Sequence, residues 1–141
     1  MSLKFLAIVL YALSMPLNGF VHVGKYADVP FGYQMVILGL FAIQSFKPVW
    51  VWGSWLANFG FFMCLLRPLT ECDVKAQRII SFVSLALGLS FLAVSEYQAS
   101  GSVGHNTRYY WTEIRPAAGY FVWLGALGCM AGHCLREQPP S

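Results

Sequence analysis

The stretch "CMAGHC", Cys129 to Cys134, carries the side chains of this sequence best suited to holding a metal ion. Cys129 and His133 are four residues apart, so they lie on one face of a helix, and Cys134 is next to His133. Zinc takes thiolate and imidazole ligands in a tetrahedron. The chain has no Cys-x2-Cys pair, and further ligands would have to come from separate elements, at Cys64 and Cys72. We therefore expect no metal and no cofactor, with the thiols packed as small apolar groups.

A second candidate is Asn58, a polar side chain in the middle of the apolar stretch "WGSWLANFGFF". Gly53 and Ala57 form a small-xxx-small pair beside it, which lets another helix approach closely. The amide is then placed to form a hydrogen bond across the contact, and the alternative is that it contacts a polar ligand or ion. Gly128 and Gly132 form a similar pair near the end of the chain, and we expect them to pack against a helix of this chain or of a partner.

The amino-acid composition indicates what kind of elements position these residues. Hydrophobic residues make up 57% of the 141 positions and charged residues 11%, which leaves too little polar surface to coat a water-soluble protein. Four apolar stretches each approach the ~20 residues needed to cross a bilayer as a helix. We predict an all-α integral membrane four-helix bundle, a single transmembrane domain over residues 1–141. The predicted spans are residues 3–20, 49–66, 79–95 and 117–134.

Two further segments allow alternatives. Residues 33–46 are apolar for only about a dozen positions, which favours an additional short interfacial or re-entrant helix before the second span. The alternative is a kinked span. Lys4 and the apolar run after it also have the pattern of a secretory signal. No small-x-small cleavage site is well placed around Pro16 to Gly19, so we expect a retained first span.

Basic residues set the predicted orientation, because cytoplasmic loops carry an excess of Lys and Arg. The short loop from Arg67 to Arg78 holds three basic residues between two spans, and we place it inside with both termini. The net charge of +3 is small and scattered, which argues against a nucleic-acid-binding protein. We expect a multi-pass membrane protein that contacts lipid and either a protein partner or further copies of itself.

Two long outer segments, residues 21–48 and 96–116, are the predicted recognition surfaces. The second contains a Gly/Ser-rich run, which we expect to be flexible, followed by an aromatic run. Glu96, Glu113 and Arg115 are expected there either as solvated neighbours or as an ion-paired cluster. The candidate partner-binding residues are Tyr109, Tyr110, Trp111, Glu113 and Arg115.

Two short motifs carry a family resemblance, "SWLAN" (Ser54 to Asn58) and "GYFVWLGA" (Gly119 to Ala126). The chain resembles a group of small uncharacterised four-span bacterial membrane proteins, in which a Trp-Leu-Ala-Asn-Pro motif opens an apolar run and a Gly-Tyr-x-x-Trp-Leu motif lies in the last helix. Phe59 stands where that pattern has proline, which puts a kink there in doubt. The resemblance implies an inner-membrane location and supplies no activity.

The residues of this sequence do not provide a Ser-His-Asp triad or a pair of carboxylates on one face of the membrane. We therefore expect a non-enzymatic interaction protein, either an accessory subunit of a membrane complex or an immunity-type protein that blocks an incoming membrane-active toxin. The alternative is a small transport, channel or lipid-binding module that uses Asn58 and residues 33–46 to line a cavity. An enzyme is the third hypothesis.

Overall fold

The computed structural model describes residues 2–23, 33, 49–66, 73–93, 96–103 and 106–137, and most of these residues are helical, as predicted. The elements in chain order are α1 (Leu3–Ser14), β1 (Phe20–Val23), α2 (Val49–Leu65), α3 (Val74–Ser90) with a 3-10 turn (Phe91–Ala93), β2 (Glu96–Val103), β3 (Asn106–Pro116) and α4 (Ala118–Arg136).

The first helix is shorter than the predicted span of residues 3–20. It ends at Ser14, two residues before Pro16. Proline has no backbone N–H, and its ring clashes with the carbonyl four residues earlier, so the helix cannot continue through it. The N–H of Met15 instead donates to the carbonyl of Ala12, at 3.2 Å. The prediction of a longer helix is wrong because hydropathy alone does not register this break.

The third helix begins earlier than predicted, at Val74 rather than at residue 79. Its first turns carry Lys75, Gln77 and Arg78, and polar residues of this kind interrupt an apolar pattern without opposing a helix. The N–H of Gln77 donates to the carbonyl of Asp73 at 2.9 Å, which is the first bond of the helix. The bounds of α2 and α4 agree with the predicted spans to within two residues.

Neighbouring helices run antiparallel. α1 packs against α4, α2 against α3, and α3 against α4. The start of α1 lies beside the end of α4, because a Cβ added to Gly132 would lie 3.4 Å from Leu3 Cδ1. The end of α1 lies beside the start of α4, where the N–H of Gly119 donates to the carbonyl of Asn18 at 3.0 Å. Thus α1 and α3 begin, and α2 and α4 end, at the same end of the bundle, which we call the terminal end.

The opposite end, which we call the sheet end, carries a three-stranded antiparallel sheet in the order β1-β3-β2. β2 and β3 form a hairpin in which Val103 pairs with Asn106, and only Gly104 and His105 separate them. Two residues are the commonest length for a hairpin connection. The flexible segment predicted before the aromatic run is therefore strand β2 instead. The tyrosines, Trp111 and Thr112 of β3 are typical strand residues, and they could have indicated this element.

Two apolar clusters hold the helices together. The larger one lies between the helices and contains nine buried residues: Ala7, Tyr11, Ala57, Phe61, Cys64, Ala126, Leu127, Met130 and Cys134. The smaller one joins the bundle to the sheet end, where the ring centroids of Phe20 and Phe91 are 4.4 Å apart and Tyr120 lies against both. The alanines bring the helix backbones close together, and the aromatic rings fill the remaining space.

The described helices expose many large apolar side chains and bury several polar ones. Large apolar side chains between 47% and 64% exposed occur on every described helix. Five polar side chains are each at most 8% exposed, within a core that is otherwise apolar. The exposed set includes Phe5, Leu13, Leu56, Phe59, Ile79, Val83, Phe121 and Leu135, and the buried polar set is Ser14, Asn58, Gln77, Ser81 and Ser84. Each buried serine bonds a carbonyl of its own helix, so its hydroxyl is satisfied locally.

Two stretches, Val74–Ala93 and Ala118–Arg136, are long and apolar enough to cross a membrane. α1 (Leu3–Ser14) and the Leu56–Leu65 part of α2 are shorter apolar stretches, so length does not establish four crossings. The predicted interfacial or re-entrant segment 33–46 lies outside the described residues, apart from Tyr33. The N–H of Tyr33 donates to the carbonyl of Met15 at 3.1 Å, so Tyr33 lies beside the end of α1.

Candidate functional site

Asn58 lies at a junction of three helices. Its carboxamide oxygen accepts a hydrogen bond from the Tyr11 hydroxyl on α1, at 2.9 Å, and another from the Trp123 indole N–H on α4, at 2.7 Å. Asn58 itself is on α2 and only 8% exposed. One atom thus connects α2 with both of the other helices.

The orientation of the amide follows from these partners. An indole nitrogen can only donate, so the atom facing Trp123 has to be the carboxamide oxygen of Asn58 and not its nitrogen. The same oxygen then obliges the Tyr11 hydroxyl to act as the donor. Both lone-pair directions of the oxygen are occupied, and this arrangement uses the oxygen for helix-helix contact.

Aromatic packing fixes the position of the Tyr11 donor. Its ring stacks on Phe61 with centroids 4.5 Å apart, and Phe62 approaches it edge-on at 5.3 Å. Ala57, one residue before Asn58, is completely buried, so α2 approaches its neighbours closely at this level. Ring stacking and a small neighbouring residue together hold the hydroxyl against the amide.

Trp123 belongs to the same aromatic layer on α4. Its ring centroid lies 5.7 Å from that of Tyr120, one turn earlier. The Tyr120 hydroxyl donates to the backbone carbonyl of Gly88 on α3. A Cβ at Gly88 would lie 2.8 Å from Leu127 Cδ1, so the glycine lets α3 and α4 lie close together here. The polar connections therefore continue from α2 through α4 to α3.

The small residues differ in what they face. A Cβ on Gly60 would overlap the Ser84 Oγ, so α2 and α3 are in close contact there. The predicted pair on α4 behaves differently, because a Cβ on Gly132 would meet Leu3, whereas one on Gly128 would have no described atom within 4 Å. Gly128 thus forms no close contact with the described part of this chain. Gly53 lies on α2 one turn before Ala57.

The candidate metal ligands are spread over the end of α4. Cys134 is buried in the helical core, Cys129 is half-buried, and His133 Nε2 lies 3.3 Å from a carboxylate oxygen of Glu137. Among the described residues, no three His, Cys, Asp or Glu side chains come together to hold a metal ion. Cys64 lies in the same core cluster as Cys134, and Cys72 is outside the described residues.

Two residues that the sequence did not indicate fasten the terminal end. The side-chain amide of Gln77 donates to the carbonyl of Cys64 at the end of α2, at 3.2 Å. Arg78 donates from Nε to the carbonyl of Cys134, at 3.2 Å, and from Nη2 to that of Glu137, at 2.6 Å. These carbonyls at the ends of α2 and α4 are left open by their own helices, and a cation is favourable beside them. The start of α3 therefore caps two neighbouring helices.

The candidate partner-binding residues all lie on β3, the central strand. Tyr109, Tyr110 and Trp111 pair with Ser100, Ala99 and Gln98 of β2. Further along the strand, Arg115 donates from Nε and Nη2 to the same carboxylate oxygen of Glu113, at 3.1 and 2.9 Å. Both side chains are exposed, and Glu113 also stands opposite Glu96 in the pairing. Glu113 and Arg115 therefore form an ion pair that is exposed to solvent.

Sequence patterns gave no direct indication of Tyr11 or Trp123 as partners of Asn58. The available signal was their chemistry, since each has an apolar body and one hydrogen-bonding atom that needs a partner when buried. Comparison with known proteins adds no identification: the chain matches no family model, no curated protein and no solved structure.

Proposed function

We propose that this chain is a multi-pass protein of the bacterial inner membrane in which all four helices cross the bilayer. One observation carries the proposal, the large apolar side chains exposed on every described helix. Soluble monomers rarely expose extensive contiguous apolar surface. In a bilayer the same surface contacts acyl chains, and polar groups belong inside, where they find partners.

Helix lengths are compatible with this placement. α4 has 19 residues, and at 1.5 Å per residue it extends about 28 Å, close to the thickness of the hydrocarbon layer. α1 has 12 residues and extends about 18 Å. A bilayer accommodates a short apolar helix by local thinning, and Lys4 at its start has a side chain long enough to reach the headgroups.

We propose the orientation from the basic residues. Five of them belong to the terminal end or the loop beside it and four to the other side: Lys4, Arg67, Lys75, Arg78 and Arg136 against Lys25, Lys47, Arg108 and Arg115. The short loop from Arg67 to Arg78 holds three of these residues, so the positive-inside rule favours a cytoplasmic terminal end. The chain termini are then cytoplasmic, and the sheet lies on the outer face of the membrane.

The biochemical role that we propose is non-enzymatic interaction, as an accessory subunit of a membrane complex or as an immunity-type protein. The oxygen of Asn58 and the side chains of Gln77 and Arg78 are used in contacts between helices, which favours a structural scaffold. The sheet presents an exposed Glu113–Arg115 pair on the strand that also carries Tyr109, Tyr110 and Trp111. Arginine and aromatic residues are enriched where proteins bind one another. We also propose that the chain is related to the small four-span proteins that its sequence resembles.

Native mass spectrometry of protein gently extracted from its own cells tests this role. We expect a heteromeric mass, lost in the variant Glu113→Ala/Arg115→Ala and kept in Lys75→Ala, which changes an exposed charge at the opposite end. A wild-type monomer or homo-oligomer with a discrete small-molecule adduct would favour the transport or lipid-binding alternative instead.

A further inference from the structure

We infer that β2 is the dimerisation surface of this protein and that it pairs, in the antiparallel sense, with β2 of a second copy. The order of strands in the described sheet is β1-β3-β2, so β2 has a neighbouring strand on one side only. We call its other side the open edge. The inference goes beyond the proposed role and does not rest on it, since it concerns how two copies of the chain are joined.

The hairpin determines which backbone groups reach the open edge. Val103 pairs with Asn106, and only two residues separate them, so this pair exchanges both of its hydrogen bonds. Hydrogen-bonded and non-hydrogen-bonded positions alternate along an antiparallel pair. Four residues of β2 therefore direct their backbone N–H and C=O groups away from β3: Glu96, Gln98, Ser100 and Ser102.

The open edge lacks the features that normally prevent strand pairing. Edge strands of natural sheets are usually very short, interrupted by a bulge, or protected by lysine or proline. β2 has 8 residues that all pair with β3 in one continuous register, and it contains no lysine, arginine or proline. The other edge strand, β1, has only 4 residues. Among the described strands, β2 is therefore the one suited to accept another strand.

The free side of β3 is less suitable for a second copy. β3 pairs with β1 only from Glu113 to Pro116, so among the described residues the stretch before Glu113 has a strand on one side only. The chain continues from Val23 at this side, directly after its pairing with Glu113. Arg108 also lies in this stretch. A strand added there would have to pass the continuing chain and would pair beside a charged residue.

The sizes of the residues along β2 fit a second copy of the same strand. The strand begins with bulky residues and continues with small ones, on either side of Ala99. Antiparallel pairing centred on Ala99 places each bulky residue opposite a small residue of the other copy: Glu96 opposite Ser102, Tyr97 opposite Gly101 and Gln98 opposite Ser100. All four outward-directed residues then pair, and no two carboxylates stand opposite each other. An aromatic residue opposite a glycine is also a stabilising pair in a sheet.

The pairing is compatible with two copies in one membrane. A twofold axis that relates two antiparallel strands is perpendicular to their sheet. Phe20 on β1 is buried against Phe91 and Tyr120, at the end of α3 and the start of α4, whereas Val21 is 45% exposed on the opposite face. One face of the sheet is thus turned towards the helix ends. The axis therefore runs along the helices, and both bundles point the same way.

Native mass spectrometry of the full-length protein in non-ionic detergent tests the inference. The test variant is Ser100→Pro, which removes one outward-directed N–H and leaves the hydrogen bonds between β2 and β3 in place. The matched control is Ser100→Val, which keeps the N–H and favours a strand. Because the pair is symmetric, the proline removes two hydrogen bonds from each dimer.

We expect the wild type and Ser100→Val to form dimers, and Ser100→Pro to dimerise at least about fivefold more weakly, because two backbone hydrogen bonds are lost. A monomeric wild type would overturn the inference, and so would a Ser100→Pro variant that dimerises as strongly as the wild type. A single copy that binds a different protein, and loses it in Ser100→Pro, would also overturn it. Matching circular dichroism spectra of the two variants ensure that lost dimerisation reflects the lost donor.

Cysteine crosslinking in native membranes tests the register independently. In the proposed pair the two Ala99 residues stand opposite each other at a non-hydrogen-bonded position, where Cα atoms are about 4.5 Å apart and a disulfide can form. The two Ser102 residues would be about 20 Å apart. We expect the oxidant copper phenanthroline to link Ala99→Cys into dimers but not Ser102→Cys, with the native cysteines present in both variants. Equal crosslinking of the two variants, or none in Ala99→Cys, would overturn the proposed pairing.

Discussion

The carboxamide oxygen of Asn58 lies 2.7 Å from the indole nitrogen of Trp123, and this bond joins α2 to α4 across 65 positions of the chain. The Tyr11 hydroxyl bonds the same oxygen from α1. A single amide in an apolar helix therefore determines how three helices are placed relative to one another. Its loss would leave one buried donor, on Tyr11, and one half-buried donor, on Trp123, without this acceptor.

Replacement of Asn58 by leucine tests this relationship. We expect Asn58→Leu to lower the free energy of unfolding by about 1–3 kcal/mol, because two cross-helix bonds are lost and the Tyr11 donor remains buried. Unfolding by SDS in mixed micelles, followed by circular dichroism, measures the change. Phe59→Leu is the matched control, since Phe59 is adjacent but 58% exposed, and it should change stability little.

A double-mutant cycle with Trp123→Phe examines the same bond from its donor side. If Asn58 and Trp123 act through this bond, the two substitutions together should cost less than the sum of the single costs, by about 0.5–2 kcal/mol. Additive effects would show that the two residues stabilise the bundle independently and would contradict the geometry described for the junction.

Glycine-to-alanine substitutions distinguish a packed glycine from an open one. Gly60→Ala should destabilise the bundle by about 1–3 kcal/mol, because the new methyl group overlaps Ser84 on α3. Gly128→Ala should be neutral or stabilising by up to about 1 kcal/mol, because no described atom lies near it and alanine favours helix. Melting temperatures in one detergent provide the comparison. Ser84→Gly combined with Gly60→Ala should recover part of the loss.

Gly128→Leu addresses association separately from stability. If this open position contacts a partner, the leucine variant should keep the melting temperature of the wild type and lose the heteromeric mass. A variant that keeps both would exclude Gly128 from the interface.

Arg78 should not be replaceable by lysine. The two bonds to the carbonyls of Cys134 and Glu137 leave from different nitrogens of one planar guanidinium, whereas an ammonium group concentrates its charge at one atom. We expect Arg78→Lys and Arg78→Gln both to lose about 1.5–3 kcal/mol of stability. Lys75→Gln, on the same helix but exposed, serves as the control. Full stability in Arg78→Lys would show that positive charge alone suffices at this position.

These tests also indicate where sequence reasoning reached its limit. The lengths of the apolar stretches located four helices, and Pro16 could have indicated the early end of α1. Asn58 was singled out by its residue type, but its donors lie 47 and 65 positions away, and no periodicity pairs residues across helices. Small-xxx-small spacing identified Gly128 and Gly132 without showing which of them faces a neighbour. The spacing of residues along one helix does not show which face of that helix is turned towards its neighbours.

The sheet was missed for a different reason. Gly101 and Ser102 of β2 are typical of flexible linkers, and intrinsic preference alone places them in a loop. Pairing with the aromatic strand β3 overrides that preference, since Gly101 pairs with Arg108 and Ser102 with Thr107. Gln77 and Arg78 were overlooked because they precede the predicted span, although the open carbonyls at the ends of neighbouring helices require such donors.

Accessibility of tags in intact cells tests the central claim most directly, that the bundle crosses the membrane with the sheet outside. One short epitope tag is inserted between Gly104 and His105, and another follows the C-terminus. The account predicts that an impermeant antibody binds the hairpin tag in spheroplasts and binds the C-terminal tag only after the membrane is opened. Binding of the C-terminal tag in intact spheroplasts, or recovery of the protein in the soluble fraction, would contradict it.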